Sequence, residues 1–213
     1  ANTGGTLYTT TAGGNNLRLG ANAGDNIAAD GNFNTLVGNN AGTAITSGDD
    51  NVALGYGALD LENTGSANTA IGRDSLSTLN YNGTGFNTAV GWNSGFSITD
   101  GQQNTLSGAG AGRYSSTTDG STFVGYQAGQ GVAAGTGAGL LTGDNNTAVG
   151  RDAGLLLQGA ANANTLLGAT AGDALTTGGG NTLIGYAAGG ATTGTNNVIV
   201  GQAGQVQVGV NDT

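Results

Sequence analysis

The chain has 213 residues, 45 of them glycine, with 37% hydrophobic and 8% charged side chains, and it lacks Pro, Cys, Met, Lys and His. That composition excludes collagen, disulfides, thiolate metal sites and catalytic constellations built on His or Cys. A formal net charge of −9, with only Arg18, Arg73, Arg113 and Arg151 as cations, argues against nucleic acid and anionic membrane as partners, and no apolar run approaches the roughly 18 residues of a membrane span.

The chain opens on Asn2-Thr3-Gly4-Gly5, a degenerate copy of a five-residue unit, Asn-Thr-x-aliphatic-Gly, that recurs to the end. Six copies follow, starting on Asn16, Asn34, Asn51, Asn68, Asn87 and Asn104, with Leu17 and Val52 in place of Thr and Ser107 in place of the aliphatic. They close on Gly20, Gly38, Gly55, Gly72, Gly91 and Gly108, at spacings of 18, 17, 17, 19 and 17 residues. A seventh copy starts on Ser121 and ends on Gly125, and the next closing glycine, Gly150, comes 25 residues later. The excess marks an inserted loop at about 130–141, since extra residues leave a repeat array as loops. The last four copies start on Asn146, Asn164, Asn181 and Asn197 and close on Gly150, Gly168, Gly185 and Gly201. The chain finishes with Gln205-Val206-Gln207-Val208-Gly209-Val210, alternating like a strand, and neither end shows a cap for an open sheet edge.

Glycine every few residues costs about 1 kcal/mol each in a helix relative to Ala, so the repeat reads as β. The predicted fold is all-β: a β-solenoid (β-roll) of about eleven coils of roughly 17–18 residues, as one domain over 1–213. Each coil is expected to hold two short strands and two turns. The stacked asparagines are expected to form a ladder of amide hydrogen bonds along the axis. The glycines are expected at corners that need positive φ or close backbone approach. With coils about 4.8 Å apart, the array makes a rod on the order of 50 Å long.

The fourth position of the unit is Val, Leu or Ile in ten of eleven copies and is expected to point into the coil. Strand side chains alternate, so the third position is expected to point out. It is apolar in every copy but that of Arg18. Leu36, Leu106, Phe123, Leu166, Leu183 and Ile199 therefore read as a subunit interface, because a strand apolar on both faces is usually buried on both. The looser half of each coil adds apolar residues, among them Ile45, Leu61, Leu79, Ile98, Tyr114, Leu156 and Leu175.

No catalytic residue stands out. Asp49, Asp50, Asp60 and Glu62 are the carboxylates from which a glycoside-hydrolysing pair would be drawn, but acids in Gly-rich turns are ordinarily solvated. Asp25-Asn26, Asp49-Asp50-Asn51 and Asp144-Asn145 offer oxygen ligands of the kind calcium takes. The glycine-rich calcium repeat does not occur in register, so no cofactor is expected and calcium is the sole candidate. Arg73-Asp74 and Arg151-Asp152 are expected to form salt bridges between coils or chains, or exposed pairs. The aromatics Tyr56, Trp92, Tyr126 and Tyr186, each just after a unit glycine, are contact candidates for sugars or a neighbouring subunit.

Runs such as Asn146-Thr147-Ala148-Val149-Gly150-Arg151-Asp152-Ala153-Gly154 and Asn181-Thr182-Leu183-Ile184-Gly185-Tyr186-Ala187-Ala188-Gly189 resemble repeats of phage tail fibres and bacterial surface fibres. They are also similar to the head repeats of trimeric autotransporter adhesins. The resemblance spans nearly the whole chain. It implies a homotrimeric, non-enzymatic fibre segment, a shaft or adhesive surface used in attachment, outside a cell or on a virion tail. Its partners would be other copies of the chain and a cell-surface glycan or receptor. The alternative reading is a subunit of a self-assembling extracellular filament that stacks head to tail.

Overall fold

The computed structural model describes residues 13–133, 139–189 and 194–202. The opening unit at 2–5, the strand-like end at 205–210 and the middle of the insertion lie outside the described residues. Eleven strands of three residues each make one parallel sheet in sequential order. They are β1 Leu17–Leu19, β2 Thr35–Val37, β3 Val52–Leu54, β4 Thr69–Ile71, β5 Thr88–Val90, β6 Thr105–Ser107, β7 Thr122–Val124, β8 Thr147–Val149, β9 Thr165–Leu167, β10 Thr182–Ile184 and β11 Val198–Val200. Each is the middle of one repeat unit, and each pairs position for position with the next, Leu36 with Ala53 and Val37 with Leu54 for example. The molecule is a β-solenoid, and no helix occurs among the described residues.

Each coil has one strand rather than two. The far side is a double turn, closed in the second coil by Ala41 N–H donating to Gly38 O (3.3 Å) and Ile45 N–H donating to Gly42 O (3.2 Å). Asn40 and Gly42 sit at φ 58° and 56°, and left-handed residues so close together cannot lie in an extended segment. The turn backbone is still satisfied along the axis. Gly42 N–H reaches Ala58 O (2.9 Å), and Thr46 N–H reaches Asn63 O (2.8 Å). Stacking therefore pairs most backbone groups even where no strand exists.

The corner glycines show why no other residue fits. All eleven lie between φ 129° and 142°. A Cβ on Gly38 would stand 2.4 Å from the carbonyl oxygen of Gly55 in the next coil. The glycine stack lets successive backbones approach more closely than any side chain permits.

The expected inward and outward faces are exchanged. The third position points in. Leu36, Leu166 and Leu183 are fully buried in the chain's own core, as are Phe123, Leu106 and, nearly so, Ile199. None of these six can form a subunit interface. Arg18, the exception at this position, is half-buried; its guanidinium donates to Ala23 O and pairs with Asp25. The fourth position points out, as in Leu54, Val90 and Leu167. The asparagine decides the phase. Its side chain turns inward to bond the coil's own turn, and alternation then carries the third residue inward with it.

In most coils one of two positions supplies a large core side chain; the fifth and eighth, with Ala89 and Gly95 and with Ala148 and Gly154, supply neither, and Leu76 and Leu106 of the adjacent coils reach the Gly95 site. Where the strand supplies Leu or Phe, the turn supplies glycine, as in Leu36 with Gly42 and Phe123 with Gly129. Where the strand supplies Ala53 or Ala70, the same turn position holds Leu59 or Leu76, both fully buried. A Cβ on Gly42 would lie 2.8 Å from Leu36 Cδ2, and one on Gly129 would lie 2.5 Å from Phe123 Cδ1. One large side chain thus fills a slot that either position can reach.

The second apolar column holds Ile27, Ile45, Leu79, Ile98, Leu157 and Leu175. Two coils break it. Leu61 and Tyr114 do not point in; the inward residues are Glu62 and Ser115, both buried. Leu156 is likewise exposed, and Leu157 takes the inward place. After the insertion the chain rejoins the stack at Leu141, which is buried and bridged to Ser115 and Gly159.

Candidate interaction surface

The asparagines form a continuous internal ladder. Asn51 N–H donates to Asn34 Oδ1 (3.0 Å), and Asn68 N–H donates to Asn51 Oδ1 (3.0 Å). The same bond joins Asn87 to Asn68, Asn104 to Asn87, Asn164 to Asn146, Asn181 to Asn164 and Asn197 to Asn181. In most rungs Nδ2 also reaches across the coil to a turn carbonyl, Asn51 to Gly65 O (2.8 Å) and Asn104 to Thr118 O (2.6 Å), whereas Asn68 Nδ2 bonds the nearby Ser66 O (3.3 Å). Ser121 keeps the chain of bonds unbroken. Its N–H donates to Asn104 Oδ1 (2.9 Å), and its hydroxyl accepts from Asn146 N–H (3.2 Å). These buried amides hold the architecture together and present nothing to a partner.

A second ladder runs two residues before the first. Asn32 N–H donates to Asp49 Oδ1 (2.6 Å), and Asp49 N–H donates to Ser66 Oγ (2.9 Å). Gln102 N–H donates to Asp119 Oδ1, and Asp119 N–H to Asp144 Oδ1, both at 2.8 Å. The signal in the sequence was the side-chain acceptor at that offset, Asn32, Asp49, Ser66, Asp119 and Asp144. Asp49 and Asp144, singled out as calcium ligands, thus each spend one carboxylate oxygen on the neighbouring coil. Among the described residues no group of three or more acidic side chains is placed to hold a metal ion.

The four carboxylates considered for hydrolysis differ in burial, with Asp49 and Asp60 half-buried. Glu62 is fully buried in the core column, whereas Asp50 is exposed. Glu62 Oε1 accepts from Asn63 N–H (2.9 Å) and Gly65 N–H (2.7 Å), and Oε2 accepts from Tyr81 N–H (3.2 Å). Burial pushes this carboxyl above its ordinary value of 4.5, while the backbone donors partly offset the rise. Glu62 caps its own turn from inside.

Two features face the solvent. The first is the sheet. Its outward positions are 22 side chains, eight Thr, Ser107 and 13 Leu, Val or Ile, with no charge among them and none fully buried. Eleven strands at about 4.8 Å, each roughly 10 Å long, give a face of roughly 500 Å², about the size of the largest, often functional, patch on a monomeric protein. The second is the corner just after the glycine, where Tyr56, Arg73, Trp92, Ala109, Tyr126, Arg151, Ala169 and Tyr186 stack in successive coils. Arg73 lies over the Tyr56 ring at 5.4 Å, and Arg113 lies over Trp92 at 5.2 Å and Tyr114 at 5.0 Å. The Arg73–Asp74 and Arg151–Asp152 pairs form between adjacent residues of one coil, not between coils.

Comparison with protein-family models, curated proteins and solved structures finds no match to this chain.

Proposed function

We propose that the chain is a structural, non-enzymatic segment of an extracellular fibre, whose copies pack side by side through the Thr/aliphatic sheet face. One observation carries the reading: a rigid rod on the order of 50 Å long presents a single face without charge, aliphatic at 13 of its 22 positions. Water-exposed aliphatic rows of that size are favourable to cover. Two such faces together bury about 1,000 Å², the lower end of specific interfaces, before the flanking corners are added. The resemblance to tail-fibre and adhesin-head repeats supports a homotrimer outside a cell or on a virion. The interface is the second and fourth positions of the unit, not the third.

Sedimentation or light scattering tests this. The chain is expected to run as a discrete oligomer. Replacing Val90 and Leu167 by Asp should give monomers whose β-sheet circular dichroism is unchanged. A chain that stays monomeric at all concentrations overturns lateral packing. Indefinite end-to-end polymers that ignore both substitutions would favour the head-to-tail filament instead.

A further inference from the structure

We infer that the aromatic corner is a binding surface for an extended, neutral, β-1,4-linked polysaccharide lying along the fibre axis. This deepens the fibre reading by naming its attachment partner, and it rests on the chain being an outward-facing fibre segment but not on its oligomeric state. Tyr56, Trp92 and Tyr126 are 50%, 49% and 55% exposed and recur every second coil. In-register pairing from β3 through β7 fixes that interval at about 10 Å. An extended β-1,4-linked glycan turns each sugar over relative to the last, so the same apolar ring face returns once per disaccharide, at a closely similar distance. Rings two coils apart therefore recur at the interval of alternate sugars, and the Tyr56 and Trp92 rings are already held by Arg73 and Arg113, which lowers the ordering cost on the protein side.

The polar groups of the corner suit hydroxyls. The Arg73–Asp74 and Arg151–Asp152 pairs cancel their charge while presenting forked donors beside acceptors. Between them sits Arg113, held between Trp92 and Tyr114, with no carboxylate partner among the described residues.

Trp92 is the only tryptophan, so its emission reports the site directly. Titrating the intact chain with cellohexaose and with chitohexaose is expected to shift Trp92 emission and protect it from iodide quenching for at least one of them, while maltohexaose and polygalacturonate do nothing. Retention on the matching insoluble polysaccharide should weaken about tenfold or more in Tyr56→Ala, in Tyr126→Ala and in Trp92→Ala. These rings are half exposed, so the three variants should melt like the parent and keep its oligomeric state. The inference is overturned if no β-linked glycan is retained, if retention survives loss of the rings, or if the anionic polymer binds in place of the neutral one. It is equally overturned if removing the rings dissociates the oligomer, which would assign the corner to the subunit interface. The first three failures leave the fibre reading untouched; the last would move its subunit interface from the sheet to the corner, which the sedimentation experiment on the sheet-face variants judges separately.

Discussion

Replacing Leu36 by Ala and Gly42 by Leu in the same coil tests the volume balance of the core. Leu36 is fully buried, and its truncation should cost about 2–5 kcal/mol. Gly42→Leu alone should also destabilise. Its Cβ would stand 2.8 Å from both Leu36 Cδ2 and Ile45 Cδ1, and overpacking costs about 1–3 kcal/mol. The left-handed φ of 56° adds roughly 1–2 kcal/mol for a residue other than glycine. Simple addition puts the double variant roughly 4–10 kcal/mol below the parent. The double variant, however, rebuilds the pairing already present as Ala53 with Leu59, where Leu59 sits fully buried at φ 54°. Once the slot is empty, the overpacking vanishes and most of the lost burial returns, leaving chiefly the φ cost of about 1–2 kcal/mol. A favourable coupling of at least about 2 kcal/mol should therefore appear in a double-mutant cycle from urea unfolding. If the two effects simply add, the slot is not shared and the account of the core is wrong.

Glu62→Gln should remove a pH dependence. The folded carboxyl titrates above its ordinary 4.5, so between those two values the unfolded chain has released a proton that the folded chain still holds. The stabilisation from neutral Glu62 is complete below the unfolded value and is lost as pH rises through the folded one. The parent should thus lose stability relative to Glu62→Gln on going from about pH 4 to pH 8, read as a growing gap in melting temperature; a gap constant with pH refutes it. Asn104→Ala should cost on the order of 3 kcal/mol, since Ser121 N–H, Thr118 O and Asn87 Oδ1 each lose a buried partner. Asn104→Asp should be worse at pH 7 than at pH 4, because the ionised form places a charge beside two acceptors. Chemical denaturation at both pH values decides this, and equal losses at the two would count against the ladder's donor role.

The sequence alone determined the winding. Glycine at a constant place in every unit, asparagine four residues before it and a spacing near 17 leave few folds but a stack of coils, because the glycine corner has no room for a Cβ and the amides need partners above and below. The small residue three places after each such glycine, Ala23, Ala41, Ala58, Ser75 or Ser94, is buried. The sequence did not settle which side of the strand faces in, because the third and fourth positions are both apolar and periodicity alone cannot rank them. Only the folded coil does so: Asn34 bonds Gly48 O across the interior (2.8 Å), and that fixes Leu36 inward and Val37 outward. Nor could the sequence show that Leu59 does for Ala53 what Leu36 does for its own coil, or that Glu62 stands in an apolar column. Both depend on where a turn of left-handed residues aims its side chains, which the tertiary stack decides.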